Sequence, residues 1–536
     1  MNIETPVLIV GGGPVGVALA LDLGWRGIEC VLVDELERDG YRTHPRANLI
    51  NSRTMEFCRR WGVAERVKEV GTPPDYPHTA MYVTAMRGYL IAHIERPAHG
   101  GDKAIAFTPE PPQRCNQIWF DPVLRERAEG FPTVALRYRW RFDSFAQDAN
   151  GVTSSVTDIA TGETHQIRSA YLAACCGGRS PIRRRLGIDA SEGEVLGAPM
   201  SVYFRAKNLW DCHDKGKGVL HFIVGPTGVW ATLNSLNGGD LWRVTLHGGA
   251  KAHGAPEFLD HKTILTKIVG TEFPYELISI SPWVRRKLVT AAYRHGRVFL
   301  AGDCAHQNTP TGGYGMNTGM GDAVDLGWKL AGAVRGWAGP KLLDSYDAER
   351  RPVALRNVEE ATRNFQLRSF GAIPELVEAT PAGDAARRKL GDEILRNTAR
   401  ELLSDGIAMG YRYDSPAICP DGSAPPPMSV TDYVQTSFPG ARAPHAPLGG
   451  GRSTLDLFGK SFVLLRLGRD APGAAPFEEA AKRRGVPFET VNVDDAATRS
   501  VYEKKLALVR PDGHVAWRGD TLPEPDALIA RVSGWI

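Results

Sequence analysis

Little in this 536-residue sequence is extreme, and each thing it lacks removes a class of protein. No run of about 18 or more apolar residues occurs, so no membrane-spanning helix is expected. The first residues run straight into a strand-like segment without a positively charged leader, which points away from secretion and to the cytoplasm. Eight cysteines are too few for a disulfide framework in a chain of this length. None of them forms a CxxC pair or a zinc-ligand spacing, so a reducing compartment and no metal are expected. Charge of one sign is also missing: 64 Lys+Arg against 61 Asp+Glu leave +3. That balance gives no argument for nucleic acid or a membrane surface as partner. Short basic runs at residues 183–185 and 482–484 read as solvated faces. No internal repeat or low-complexity tract stands out.

What is present is length enough for two or three domains and two glycine-rich stretches. Residues 6–10 read as a buried strand, Gly11-Gly-Gly-Pro-Val-Gly16 as a turn, 17–25 as a helix of small and aliphatic residues, and 28–33 as a second strand ending at Asp34-Glu35. In this GxGxxG unit Gly11 makes the tight turn, Gly13 lets the backbone approach a pyrophosphate beside Pro14, and Gly16 permits close helix–strand packing. Asp34 lies 18 residues past Gly16, close to the ~20 expected for a carboxylate that accepts from a ribose hydroxyl. Glu35 stands next to it. The complete βαβ unit is a strong dinucleotide signal, but alone it does not choose between FAD and NAD.

The second stretch, residues 297–330, reads RVFLAGDCAHQNTPTGGYGMNTGMGDAVDLGWKL. A short buried strand ends at Gly302-Asp303, a Thr/Pro/Gly loop follows, and apolar positions at helical spacing begin near Met320. Gly302 lets the backbone come close to a ligand, and Asp303 offers a carboxylate to ligand hydroxyls. Thr311-Gly312-Gly313 and Gly315 allow backbone N–H groups to converge at a helix N-terminus, where an anion such as a reduced flavin is favoured.

This stretch is similar, almost position by position, to the second flavin motif of the single-component (class A) FAD-dependent aromatic hydroxylases, the family of para-hydroxybenzoate and phenol hydroxylases. By that resemblance Asp303 binds the ribityl chain, Pro310 lies beside the ring near the substrate, and Gly315, Met316 and Asn317 face the pyrimidine edge. His44-Pro-Arg-Ala-Asn48 with Ser52-Arg-Thr-Met-Glu56 resembles a further family stretch whose arginine reaches the FAD pyrophosphate, which makes that residue Arg46. Asn48 sits where some phenol hydroxylases carry a substrate-side aspartate. Cys115-Asn-Gln-Ile-Trp-Phe-Asp-Pro-Val-Leu resembles the stretch in which a glutamine meets the flavin, here Gln117. Residues 171–183 match the middle motif in frame, but Cys176-Gly177 stands where the family usually has Asp-Gly, an aspartate associated with FAD and the pyridine nucleotide. Adjacent Cys175-Cys176 invites a redox reading. Adjacent cysteines bridge only with strained geometry, so the pair reads instead as small buried residues at a strand end.

Residues 195–285 alternate in the strand period, as an antiparallel sheet that in the family roofs the substrate. Tyr203, His221, Trp230, Asn234 and His247 are its polar or aromatic members. Tyr203 and His221 are the candidates for a base that ionises a phenol, with Pro310 contributing its carbonyl; Asn48, Tyr203, His221 and Asn234 are candidate substrate contacts. The last hundred residues, in β-α-β-β-β-α order and without cysteine, resemble the thioredoxin-like C-terminal domain of phenol-hydroxylase relatives.

The expected architecture is α/β with an α+β insertion. It comprises a discontinuous Rossmann-like (GR2-type) FAD domain (1–75, 113–190 and 286–370), an inserted antiparallel substrate sheet (76–112 and 191–285), a helical segment with a Pro-rich linker (371–430), and a thioredoxin-like domain without CxxC (431–536). The resemblance implies an oxidoreductase that uses FAD, NADH or NADPH, and O2 to hydroxylate an electron-rich phenolic ring through a flavin C4a-hydroperoxide. Small aromatic substrate, no nucleic acid, no membrane and a homodimer complete the expectation. Two other readings stand beside it: hydroxylation or Baeyer–Villiger oxygenation of a larger polyketide-like substrate, and a flavin-binding protein that has lost oxygenation.

Overall fold

The computed structural model describes residues 2–95, 105–188, 193–247 and 260–536. Parts of the expected substrate sheet, residues 96–104, 191–192 and 248–259, lie outside the described residues, as do 189–190 at the end of the FAD segment. Strand Asn2–Val10 sits inside the first sheet, whose order is Arg294–His295, Val298–Leu300, Thr164–Ala174, Asn2–Val10, Cys30–Asp34 and Val134–Tyr138. The five longer of these run parallel. Strands covered on both faces need no alternation, which is why the VLIV and VFL runs are apolar throughout and fully or nearly fully buried. Trp140–Gln147 and Val152–Asp158 fold back as a meander onto Thr164–Ala174.

A seven-stranded sheet follows the order Glu276–Pro282, Met200–Arg205, Leu241–Leu246, Gly228–Ser235, Leu220–Gly225, Ala80–Val83 and Leu90–Ile94. Strands Ala80–Val83 and Leu90–Ile94, inside the expected 76–112 segment, thus join the later ones, and Leu220–Gly225 meets Ala80–Val83 in parallel. Ile264, Leu265 and Ile268 of helix His261–Val269 cover one face, packing on Val202, Phe204, Ile223, Leu233 and Val244. The other face turns toward the first sheet: Ser279 Oγ donates to Thr43 O at 2.8 Å, and Arg243 donates to Pro45 O at 2.8 Å.

Two long helices back the first sheet. Tyr314–Val334 starts earlier than its apolar spacing suggests, because Gly315 and Gly319 hide the first turns from a periodicity argument. Pro340–Gln366 is one helix of 27 residues that carries Pro352 inside it. Val353 and Ala354 are buried, and Arg350 is anchored to Asp322 Oδ1 (2.8 Å) and Thr318 O (2.9 Å), so tertiary contacts hold the helix on both sides of the proline. The expected helical segment after residue 371 contains helices Pro381–Asn397 and Ala399–Leu402.

The C-terminal sheet runs Phe488–Val493, Phe462–Leu467, Leu506–Val509, Val515–Gly519. One helix, Ala496–Tyr502, was absent from the sequence-based order. Asp495 caps it by accepting from Thr498 N (2.6 Å), a short polar signal that apolar spacing does not reveal. This unit is ion-paired to the rest of the chain. Arg442 holds Glu56 (Nε to Oε2, 2.9 Å), and Arg510 holds Glu349 (2.6 and 2.8 Å). Among the described residues no helix is long and apolar enough to cross a membrane.

Candidate active site

The parallel strands deliver their ends to one edge, the place where open α/β sheets bind ligands. Gly11 leaves the first strand at φ +111°, and a methyl on it would come within 2.4 Å of Cys175 O. A methyl on Gly16 would come within 1.9 Å of Gly11 O. These two glycines let turn, helix and neighbouring strand approach. Gly13 differs, because nothing lies within 4 Å of where its Cβ would be. Gly13 precedes helix Pro14–Trp25 as its N-cap with no side-chain cap, so the positive helix end opens onto that space.

Asp34 is buried and satisfied by protein: Oδ2 accepts from Gly12 N and from Tyr41 OH (2.9 Å), and Oδ1 from Leu36 N (2.7 Å). It braces the turn, and the neighbouring Glu35 is exposed. Arg46 is exposed. Its loop is held from the sheet by Arg243, which also donates to Arg46 O. Gln117 lies in the first turn of helix Gln117–Glu129 and donates to Asp121 Oδ2 at 3.0 Å. Asp121 is pushed up to about 7 by burial, opposed mainly by Arg125. Arg125, which sequence reasoning missed, is almost fully buried and donates to Gly12 O (3.0 Å) and Arg38 O (2.8 Å), clamping the glycine turn.

The second motif forms as its order suggests. Gly302 turns at φ +60° against Val15, while Asp303 and Pro310 are exposed at the groove. Asp322, another residue the sequence reading did not single out, accepts from Gly302 N (3.0 Å), pairs with His306 (2.9 Å) and takes Arg350, fixing the turn beneath Asp303. Gly312 and Gly313 adopt φ +79° and +70°, and Tyr314, Gly315 and Met316 begin the helix. By helix geometry their N–H groups lack intrahelical acceptors and point forward. The Asn317 side chain is engaged elsewhere. It donates to Leu49 O (2.9 Å) and Gly313 O (2.8 Å) and accepts from Asn51 N (3.0 Å) and Thr54 Oγ1 (2.7 Å), tying the helix start to the segment after Asn48.

The register of the seven-stranded sheet sorts the roof residues. Directly opposed residues share a face, and Leu220, Asn234, Arg243, Tyr203 and Ser279 form one such row. Arg243 and Ser279 bond the 43–46 loop, so Tyr203 and Asn234 face the groove side. His221 lies opposite Leu233 and Met81 on the other face, beside Trp210 and His213, in the cluster under helix His261–Val269. His221 is thus corrected: one residue of strand period turns it away from the substrate side. Burial lowers it to about 3, so it is neutral there. Burial also raises the Tyr203 phenol, which keeps its proton and is better suited to donate than to act as a base. Tyr203 and Leu241 line a cavity of about 440 Å³ with Ile118, Trp119, Arg42 and Arg66.

A buried basic cluster on this face was not foreseen. Thr232 Oγ1 meets His247 Nε2, His247 Nδ1 accepts from Arg285 Nη2 (3.1 Å), and Arg368 Nη1 lies 3.5 Å from His247 Nε2. Arg368 also donates to Glu401 Oε1 (2.6 Å), which accepts from Gly312 N (3.1 Å) in the flavin-motif loop. Glu401 neutralises Arg368, while Arg285 has no acidic partner among the described residues. Arg285 is only 2% exposed, and burial plus the neighbouring Arg368 lower it to about 10. In sequence Arg285 and Arg368 look like ordinary surface arginines, and only the fold buries them together.

These residues fit a flavin and an aromatic ligand. The space at Gly13, the exposed carboxylates of Glu35 and Asp303 and the helix start at Tyr314 suit a dinucleotide with an anionic ring. Asn48 has both amide atoms buried and without a hydrogen-bond partner, and Asn234 has its Oδ1 so, both on the groove side. Among the described residues the one acid trio close enough for a metal, Asp325, Glu349 and Asp512, holds Lys329 Nζ (2.8 and 2.6 Å) and Arg510 instead.

Fold and groove together define a flavin-binding oxidoreductase. Residues 4–361 match the FAD binding domain model and residues 436–536 the aromatic-ring hydroxylase C-terminal model. The tetracenomycin B2 monooxygenase-dioxygenase of Streptomyces olivaceus is 33% identical over 99% of this chain and 98% of its own. The 4-methyl-5-nitrocatechol 5-monooxygenase of a Burkholderia species is 33% identical over 98% of this chain and 96% of its own. The rebeccamycin biosynthetic enzyme solved with reduced flavin superposes with a TM-score of 0.92 at 39% identity, covering 100% of this chain and 99% of the other. The chain belongs to the class A FAD-dependent aromatic monooxygenases, enzymes that use FAD, NAD(P)H and O2.

Proposed function

We propose that this enzyme hydroxylates an electron-rich phenolic ring. The observation that carries the reading is the buried Arg285–His247–Arg368 cluster, joined through Glu401 to the loop that bears Pro310 and Gly312. A net positive charge buried beside that loop favours the phenolate over the phenol, and a phenolate ring is the more reactive toward electrophilic oxygen.

Bound FAD supplies the reduction of dioxygen and the transfer of one oxygen atom. The chain's own part is binding, orientation and charge. Gly11, Gly13, Pro14, Gly16 and Glu35 hold the nucleotide, with Asp34 bracing the turn and Arg46 and Gln117 reaching the pyrophosphate and flavin side. Gly302, Asp303, Gly315, Met316 and the Asn317 backbone hold the ribityl chain and the ring's negative charge. Asn48, Tyr203 and Asn234 donate to or accept from ring substituents. Pro310 offers its carbonyl to the ring hydroxyl. The arrangement of 1–75, 113–190 and 286–370 as FAD domain, 76–112 and 191–285 as substrate sheet, 371–430 as linker and 431–536 as thioredoxin-like unit belongs to the same proposal, as does a homodimer, which light scattering tests.

A second reading, hydroxylation or Baeyer–Villiger oxygenation of a larger polyketide- or antibiotic-like substrate, is favoured by the tetracenomycin and rebeccamycin relatives and by the cavity under Tyr203 and Leu241. The test is NADH and NADPH oxidation by the yellow holoenzyme with single-ring phenols, pyridinols and polycyclic phenols, product oxygen being traced from labelled O2. Oxidation stimulated by a phenolic ring with one labelled atom incorporated supports the proposal, and the responding ring size separates the two readings. A flavin that reductant bleaches but no phenol influences overturns both.

A further inference from the structure

The two cysteines that approach each other are not the adjacent pair. Strands Thr164–Ala174 and Val298–Leu300 run side by side in parallel, with Ala174 opposite Leu300. Each continues into a turn that carries a cysteine. Cys176 Sγ lies 3.6 Å from Cys304 Sγ and 3.0 Å from Ser180 Oγ. Cys175 turns to the other side, against the glycine turn: a methyl on Gly16 would sit 3.1 Å from its Cβ. We propose that Cys176 and Cys304 are a reversible oxidative cross-linking site, a dithiol that a hydroperoxide converts to a disulfide joining the two turns beneath Asp303.

Three features build the site. A disulfide needs about 2.05 Å between sulfurs, so the thiols must close by roughly 1.5 Å, within reach of turns that end adjacent, already paired strands. Cys176 is half-buried whereas Cys304 has no exposure, so the first is open to oxidant and the second is held behind it as the resolving thiol. The Arg183 guanidinium packs over both turns, donating to Gly178 O (2.6 Å) and Cys304 O (3.1 Å), and its charge favours a thiolate nearby. The hydrogen bond from the Cys304 thiol likewise lowers Cys176, while burial raises Cys304. That asymmetry gives one nucleophile and one reserve thiol.

The chemistry balances with hydrogen peroxide as oxidant. The Cys176 thiolate attacks one peroxide oxygen; an S–O bond forms, the O–O bond breaks, and hydroxide leaves and takes a proton. The Cys304 sulfur then attacks the sulfenic sulfur; the S–S bond forms and a second water leaves. Two thiols are oxidised by two electrons, and one peroxide becomes two waters. A dithiol reductant reverses it.

Holoenzyme treated with stoichiometric peroxide, quenched with an alkylating agent and digested without reductant tests this by peptide mass mapping. The expected result is loss of two of the eight thiols and a Cys176–Cys304 linked peptide lighter by two hydrogens, both restored by dithiothreitol. Cys304→Ala should instead trap Cys176 as a sulfenic acid that a dimedone probe labels, and Cys176→Ser should leave Cys304 unmodified. Linkage of Cys175 to Cys176, or oxidation of Cys176 to sulfinic acid in wild type with no linked peptide, would overturn the proposal. The wild-type map needs no variant to fold, and because flavin content and turnover are measured separately, it stands or falls apart from the substrate reading.

Discussion

Gly13→Ala and Gly16→Ala should separate cofactor binding from folding within three residues. At Gly13 the backbone is φ −71°, ψ 176°, a conformation alanine adopts freely, and nothing lies within 4 Å of the new methyl. Losing a glycine stabilises by about 0.4–1 kcal/mol through the unfolded chain. Placing alanine at an N-cap costs about as much, so the net effect on the apoprotein is near zero. The methyl instead fills the space in front of the helix end. If the FAD pyrophosphate sits there, the anion is pushed off a helix N-terminus worth up to ~2 kcal/mol, a roughly thirtyfold loss of FAD affinity. At Gly16 the methyl would meet Gly11 O at 1.9 Å, a backbone atom that cannot step aside. Overpacking of that kind costs about 3 kcal/mol, so the variant should lose stability whether or not flavin is present. The assay is urea unfolding of both apoproteins followed by titration with FAD, read by quenching of flavin fluorescence. A Gly13→Ala protein that unfolds like wild type and binds FAD as tightly would refute placement of the pyrophosphate at this turn.

Arg285→Met removes a buried charge that has no acidic partner among the described residues, so the apoprotein should gain about 1 kcal/mol in thermal or urea unfolding, while the Kd for a phenolate ligand rises roughly tenfold or more; tighter phenolate binding would refute the role given to the cluster. Arg510→Met leaves Glu349 with the Lys329 ammonium and the Ser415 hydroxyl and Asp512 with His514, while Asp325 is already pushed up to about 8 by burial. The urea midpoint should fall by the equivalent of about 3–5 kcal/mol. His221 and His514 are buried and lowered from 6.5 to about 3 and about 4. The unfolded chain binds these protons first, so stability is full above pH ~6.5 and falls as pH drops toward 4, by roughly 3 kcal/mol for His514 alone. His221→Leu should flatten that slope in acid-unfolding curves and leave the alkaline limb unchanged. The same variant should leave the pH profile of kcat untouched, since the imidazole lies on the far face of the sheet; a lost ionisation in that profile would restore it as a base.

Local chemistry was legible in the sequence wherever a few consecutive residues carry it. The glycines at 11 and 16 announce a close approach because no other residue permits it, and Gly302-Asp303 with Gly312-Gly313 does the same for the second turn. The strands of the first sheet announce themselves as apolar runs because they are covered on both faces. What the sequence could not decide is which face of a strand meets the groove. His221 and Tyr203 look alike as candidates, and only the register that sets His221 opposite Leu233 and Tyr203 opposite Arg243 divides them. Nor could it bring together Arg285, Arg368 and Glu401, or Cys176 and Cys304, residues far apart in the chain whose meeting depends on strand order and on helices packing across sheets. Backbone freedom is a property of one residue and can be read in place. Charge balance and thiol proximity belong to pairs, and pairs exist only once the chain has folded.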